Sequence, residues 1–438
     1  MRHLRAEMRH KRYFGDTMNE SAPGLYSLPH AVFLRRLAGA TRGTSLDARL
    51  GRAAFVALRL IDLLGPDEPA LPRDAFHYQH AATDRACRWL PADRPETSHL
   101  IGVVQSTADA YHTRDVGLLF PALFAYAHYL EDEMCLEQAL DVLETLARVG
   151  GDRFRAEDQV AARLRMARVL RKLNRFDEAE QGYEEAGALA AGIEDTHSRL
   201  LSRIGRANTV TARGNLAEAE QSLRGALADA EAAGDRNAQA LAHQGLAVVL
   251  STSGRPAEAI PHGWHAYELY DDETPRMRTL TDLGVMFLTV GDARSADLAL
   301  TTVVREGNGR DVLDNAMIEL MHCASFRRDR VGFERWRERC EARRDDMPPN
   351  VLVDFTLKVG IGRARFGQIP RANALVRTAL RLAQEAGLHE FVFRIERIKD
   401  GLRDCKEGCS SGPLAAAESV FDSDGLREVS NSLALLGR

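Results

Sequence analysis

The chain repeats itself, and that constrains its fold more than any other feature. An alanine recurs within "CLEQALDVL" (Ala139), "RFDEAEQGY" (Ala179), "NLAEAEQSL" (Ala219), "RPAEAIPHG" (Ala259), "DARSADLAL" (Ala296) and "QIPRANALV" (Ala372). A degenerate copy, "RVGFERW", carries Phe333 in the same place. Successive copies lie 40, 40, 40, 37, 37 and 39 residues apart. A period of this length is the signature of a solenoid, in which each unit buries its apolar face only against its neighbours.

Each copy has one grammar. A segment with helical periodicity, such as "AARLRMARVLRKL", leads to a breaker: Asn174, Gly214, Gly254, Gly291 or Gly367. Glycine, and less often asparagine, supplies the left-handed residue that ends a helix. A second helix follows, with the repeated alanine near its start and another small residue seven positions on: Ala186, Ala226 or Ala266. Residues seven apart share one face of a helix, so two helices can cross closely there. A large side chain at Ala179 would overpack the crossing at a cost of roughly 1–3 kcal/mol.

These features resemble the tetratricopeptide repeat, in the long form found in bacterial regulators and kinesin light chains. The family's small residue of the first helix is matched by Ala127, Ala167, Ala207, Ala247, Gly284 and Gly360. Its aromatic at the start of the second helix is matched by Phe176 alone; Leu136, Leu216, Pro256, Ala293 and Ile369 replace it elsewhere, and Tyr183 holds the later aromatic position. The resemblance covers about residues 117–388, as about seven repeats. It implies an all-α, right-handed superhelical solenoid of antiparallel helix hairpins.

The flanks read as helical too. Residues 28–116 form an N-terminal capping region with helical periodicity over 28–41, 46–64, 75–90 and 97–112. A helix-turn-helix over 28–64 is the alternative, although its second helix is too apolar for a DNA groove. Residues 389–405 read as a capping helix and 406–421 as a linker, by their small residues. Residues 422–438 read as an amphipathic helix, with Leu426, Val429, Leu433 and Leu436 on one side. That helix packs on the end of the solenoid, lies in its groove, or pairs with another chain. Residues 1–27 are expected to be a disordered basic arm. Met18 is an alternative start, which changes the net charge from −5 to −8.

Composition removes several function classes. A net charge of −5, from 58 basic and 63 acidic residues, gives no polyelectrolyte-binding face, so nucleic acid is not the expected partner. There are five lysines, and the remaining basic residues are arginines, a bias that matches a GC-rich bacterial genome. Six scattered cysteines do not make a disulfide framework and fit reduced thiols in a cytoplasm. The most apolar run, "AAFVALRLIDLLG", is too short to cross a membrane and is broken by Arg59 and Asp62.

No catalytic constellation stands out. There is no phosphate-binding Gly-Lys-Ser/Thr loop and no Gly-x-Ser-x-Gly elbow. Cys405 and Cys409, His77 and His80, and His262 and His265 have ligand-like spacings, but each pair lacks the further ligands of a structural zinc site. No metal, cofactor or enzymatic activity is expected.

The resemblance places the first helix of each repeat on the concave face. There the inward positions include His128, Glu131, Arg165, Arg168, Arg171, Lys172, Asn208, Thr211, Gln244, Ser251, Thr281 and Asp282. Arginine can hold a carboxylate through two hydrogen bonds, and Asn or Gln can pair with a peptide amide. Arg165, Arg168, Arg171, Lys172, Asn208 and Gln244 are therefore the candidate peptide-binding residues, with an acidic or C-terminal group near Arg168. The family's Lys-Asn-Asn-Lys-Arg clamp is not reproduced. The expected function is a cytoplasmic, non-enzymatic scaffold or adaptor for a peptide or protein; a ligand- or peptide-sensing regulator is the alternative.

Overall fold

The computed structural model describes residues 28–38, 45–66, 72–307, 309–344, 347–404 and 424–436. Residues 1–27, Cys405, Cys409 and the 406–421 segment lie outside them, so the readings made there have no structural counterpart. The described chain is helical, with α1 (Ala31–Ala38), α2 (Leu46–Asp62), α3 (Arg73–Arg88), α4 (Pro95–Thr113), α5 (Phe120–Asp132) and α6 (Leu136–Gly150) leading the series. It divides into two compact units. The first comprises the described residues up to Leu130 together with Glu137–Phe154, and the second comprises Glu131–Leu136 and everything from Arg155 onward.

The first unit is held by a buried ionic core as well as by apolar packing. His30 stands in the left-handed region at φ 62°. Its ring bridges two carboxylates, with Nδ1 2.6 Å from Asp141 and Nε2 3.1 Å from Asp62. Arg148 also reaches Asp62. On the other side of α1, Arg36 holds Glu96 at 2.9 and 3.0 Å, and the Tyr126 hydroxyl donates to the same carboxylate at 2.9 Å. These bonds draw the hairpin α5–α6, which carries the first repeat alanine, into one body with the N-terminal helices. Helix α2 buries ten of its 17 residues, leaving it little free surface.

The second unit is a stack of hairpins. Its helices are α7 (Ala156–Lys172), α8 (Phe176–Gly192), α9 (Thr196–Ala212), α10 (Leu216–Ala232), α11 (Arg236–Thr252), α12 (Pro256–Leu269), α13 (Glu273–Thr289), α14 (Ala293–Glu306), α15 (Arg310–Phe326), α16 (Arg330–Glu341), α17 (Pro349–Arg365), α18 (Ile369–Glu385), α19 (His389–Asp404) and α20 (Asp424–Leu436). From α7 to α18 they pair as antiparallel hairpins, and the first helices of neighbouring hairpins touch: α7 with α9, α9 with α11, α13 with α15, and α15 with α17. This is the all-α hairpin solenoid that the repeat implies. Pro261 does not break α12, which runs through it.

One local device recurs at each hairpin turn. The residue five positions before the repeated alanine (or Phe333) has positive φ: Met134, Asn174, Gly214, Gly254, Gly291, Arg328 and Gly367. In the second unit's turns the next N–H then closes a six-to-one bond onto the preceding helix, as Arg175 does with the Leu170 carbonyl (2.9 Å) and Asp329 with Ala324 (2.9 Å). Ala139, Ala179, Ala219, Ala259, Ala296, Ala372 and Phe333 are all completely buried.

The degenerate sixth copy has a compensating partner. A Cβ on Gly362 would stand 2.3 Å from the Phe333 ring, so the missing side chain on α17 makes room for the extra ring on α16. Phe366 packs edge-on at 5.3 Å between ring centroids.

The C-terminal helix α20 takes neither the end of the stack nor the inner face. It packs on α12 and α14, the second helices of two adjacent hairpins. Leu426, Val429 and Leu433 are buried there, Ser430 reaches Ser295 (3.1 Å) and Asp292 (3.3 Å), and Arg305 donates to the Leu436 carbonyl at 2.9 Å. The end of the stack is covered instead by α19, whose Ile395 joins Val353, Leu357, Val376, Ala379 and Ala383 in one apolar cluster.

Two predictions follow from this packing. Gly362→Ala is expected to cost about 1–3 kcal/mol by overpacking, and the penalty should shrink in a Phe333→Leu background. A denaturant double-mutant cycle checks the coupling, expected above about 0.5 kcal/mol for residues in contact. The second concerns His30. Burial pulls its pKa down, but hydrogen bonds and charge from Asp141 and Asp62 outweigh this and raise it to about 9 from 6.5. The stabilisation is therefore complete below pH 6.5 and is lost as pH rises through 9. Thermal midpoints from pH 6 to 9.5 should fall in the wild type and fall less in His30→Gln.

Candidate functional site

The first helices of the second unit's hairpins pack side by side, and this row is the face that the resemblance places on the inside of the solenoid. Its N-terminal part centres on Glu131, whose side chain is 0% exposed. Arg165 Nη1, Arg168 Nε and Lys172 Nζ each lie 2.7 Å from its carboxylate. They reach it together because positions 165, 168 and 172 follow one face of α7 at helical spacing. Burial alone would raise the Glu131 pKa; the charges of Arg168, Lys172 and Arg165 overcome it and pull the pKa down to about 2. The basic group is thus three cations gathered on one internal anion. Arg168 keeps the most exposure of the three, 42% of its side chain. Arg171 does not join them and lies against the Tyr183 hydroxyl.

Further along, Asn208 on α9 is half-buried. Its Oδ1 lies so close to Gly245 of α11 that a Cβ there would stand 3.1 Å away. Gln244 is fixed on both sides: its Oε1 accepts from the Tyr270 hydroxyl at 2.6 Å, and its side chain hydrogen-bonds Asp282. Burial first, and then the charge of Glu319, push the Asp282 carboxyl up to about 7, against the Gln244 bond and the charge of Arg278. The sequence brings Arg165, Arg168 and Lys172 into one cluster and sets Asn208 and Gln244 along the same face; Arg171 stands apart from them.

The C-terminal part holds residues that sequence reasoning missed. Lys358 of α17 bonds Glu319 and also Asp354, at 2.5 Å. Beside this pair lies a cavity of about 260 Å³, lined among others by Val285, Leu288, His322, Phe326, Lys358 and Arg394. Arg365 borders it. Its guanidinium stands 4.0 Å over the Phe326 ring, donates to Ser325 Oγ at 2.7 Å, and lies 3.5 Å from His322 Nδ1. A signal was present in the sequence: Lys358 is one of only five lysines and sits inside the apolar run "NVLVDFTLKVGIG", four residues after Asp354.

The flagged histidines are part of aromatic clusters. His77 packs 5.1 Å from His112, and His80 6.1 Å from Phe76. His262 and His265 are joined by His243, whose Nδ1 lies 2.9 Å from that of His262. Burial, followed by the charges of His262 and His265, depresses the His243 pKa to about 4.

No protein-family model matches the chain, and no curated protein matches it. Among solved structures, the chain is similar to the apo quorum sensor NprR from B. thuringiensis (TM-score 0.48, 10% identity, 88% of this chain and 99% of that one). It is also similar to aspartyl phosphate phosphatase F from Bacillus subtilis (TM-score 0.45, 10% identity, 79% and 96%). A third is a kinesin light chain from Podosopora anserina with TPR-like repeats (TM-score 0.36, 18% identity, 42% and 93%). No helix among the described residues is long and apolar enough to cross a membrane.

A prediction follows from Asp282. Its carboxyl is raised from 3.8 to about 7, so the unfolded chain gives up the proton first. Its contribution to stability is complete below pH 3.8 and is lost as pH rises through 7. Asp282→Asn keeps an acceptor for Gln244 and removes the charge. Its thermal midpoint should gain on that of the wild type as pH rises from 4 to 8, and the gap between the two should stop widening above pH 7.

Proposed function

We propose that the chain is a non-enzymatic interaction protein, a cytoplasmic scaffold or adaptor that holds a peptide segment of a partner along the inner face of its second unit. The observation that carries this reading is the open Asn208 amide. It has no side-chain partner among the described residues, and it sits on the same face as the fixed groups Arg168 and Gln244. An Asn amide offers donor and acceptor together, the complement of a peptide group. Neighbouring helices stand about 8–10 Å apart, and an extended peptide advances about 3.3 Å per residue. One polar group per first helix thus meets roughly every third residue of a bound strand. Arg168 supplies positive charge, which Glu131 holds in place and only partly neutralises.

The test is an affinity pull-down from the native host, read by mass spectrometry, with wild type beside Arg168→Ala/Asn208→Ala. The double variant should lose the wild type's partner by about tenfold or more in retained amount, and Asn208→Ala alone, which breaks no ion pair, should lose part of it with its thermal midpoint held, which separates lost binding from the lost Arg168–Glu131 contact. A partner retained equally by both proteins would remove the inner face from the interface. An empty result for the wild type would turn the reading toward a sensor of a small ligand.

A further inference from the structure

Beside the cavity at the C-terminal end of the inner face stands a cation with no carboxylate partner among the described residues. Two cations line the cavity, Lys358 and Arg394, together with the Glu319 carboxylate, and a third cation, Arg365, stands against its lining residues Phe326 and His322. Two carboxylates face them. Glu319 and Asp354 both bond Lys358, and Arg394 stands 3.8 Å from the same Asp354. Arg365 is left with a hydroxyl, an imidazole edge and an aromatic face as its neighbours, and with no carboxylate among the described residues. A half-buried guanidinium without an anion is costly in a folded protein and is a mark of a site completed by something else.

The surroundings say what would complete it. Val285, Leu288 and Phe326 give the cavity an apolar wall, and Phe326 carries the Arg365 guanidinium over its ring. Val285 and Phe326 are exposed, at 38% and 46%, and so remain open to a ligand. Burial, with the positive charges of Arg365, Lys358 and Arg394, holds the His322 pKa well below its ordinary value, so this ring adds no charge at neutral pH. At about 260 Å³ the space is small.

We infer that this cavity binds a carboxylate borne on the same carbon as an apolar side chain, with the carboxylate on Arg365 and the side chain against Val285, Leu288 and Phe326. Two sources share that chemistry: the C-terminal residue of a peptide and a free or N-acylated apolar amino acid. The inference rests on the inner face being the binding face, and it assigns the acid-binding end to Arg365. Arg168 is a poorer candidate because its charge is already directed at Glu131.

Calorimetry on the full chain tests this with four probes: N-acetyl-leucine, N-acetyl-leucinamide, a hexapeptide ending in leucine, and the same peptide amidated at its C-terminus. The acid of at least one pair should bind about tenfold or more tightly than its amide, as a charge-assisted bond requires. Arg365→Gln should erase that preference, and Val285→Trp should block both acid and amide by filling the cavity. If only the peptide pair shows the preference, the source is a peptide terminus; if the free acid shows it equally, the source is an amino acid. Acid and amide binding alike, no binding of either acid, or an unchanged preference in Arg365→Gln would each overturn the inference. Unliganded thermal midpoints guard against misfolding: if Arg365→Gln melts early, Arg365→Met, which keeps contact with Phe326, replaces it. A partner lost by Arg168→Ala/Asn208→Ala but indifferent to Arg365 would leave the wider reading standing and remove this one. A carboxylate preference without any macromolecular partner would do the reverse.

Discussion

Everything in the second unit depends on the close crossing of two helices at a residue with almost no side chain. The repeated alanines are completely buried, and each follows a left-handed turn residue by five positions. Turn and crossing therefore act as one constraint. The turn fixes where the second helix starts, and the alanine fixes how near it comes. Where the chain departs from alanine, a neighbour gives way, as Gly362 does for the Phe333 ring. Where it departs from glycine in the turn, Met134 and Arg328 take the strained conformation themselves at φ 59° and 58°, a cost of roughly 1–2 kcal/mol for a residue with a Cβ.

With backbone and core committed to stacking, the inner face becomes the place where polar chemistry can gather. It does not gather evenly. One end concentrates positive charge around a single buried carboxylate, Glu131. The middle holds a carboxyl poised near neutrality, Asp282. The far end pairs Lys358 with two carboxylates and leaves Arg365 with none among the described residues. Groups of this kind are held apart by rigid helices, so the pattern of charge is as fixed as the fold that carries it.

The architecture was legible because it is written in local residues at a constant pitch. Ala179 and Gly214 mean the same thing in every copy, and their partners lie a few residues away. The inner face was legible only in outline. Arg165, Arg168 and Lys172 could be placed on one side of α7 by spacing, but their common anion lies more than thirty residues away at Glu131, and spacing within a helix is blind to that. Asp282 was placed on the face without its raised pKa, because burial and the charge of Glu319 come from packing between helices. His322 escaped notice because the repeat grammar that marks inward positions fades in the sixth copy, and Arg365 because it lies in the seventh, beyond Asp282, the last position read as inward. The tail's apolar spacing was visible in the sequence, but its seat on α12 and α14 depends on a groove that exists only once two hairpins have stacked.

That seat changes how the stack behaves as a whole. A solenoid in which each hairpin touches only its neighbours can fray from an end, one unit at a time. Here the bond from Ser430 to Ser295 spans 135 residues of sequence and ties the last helix to the fourth and fifth repeats. Because α20 packs on both α12 and α14, those two hairpins cannot part without releasing it, so the fourth and fifth repeats are held as one cooperative block.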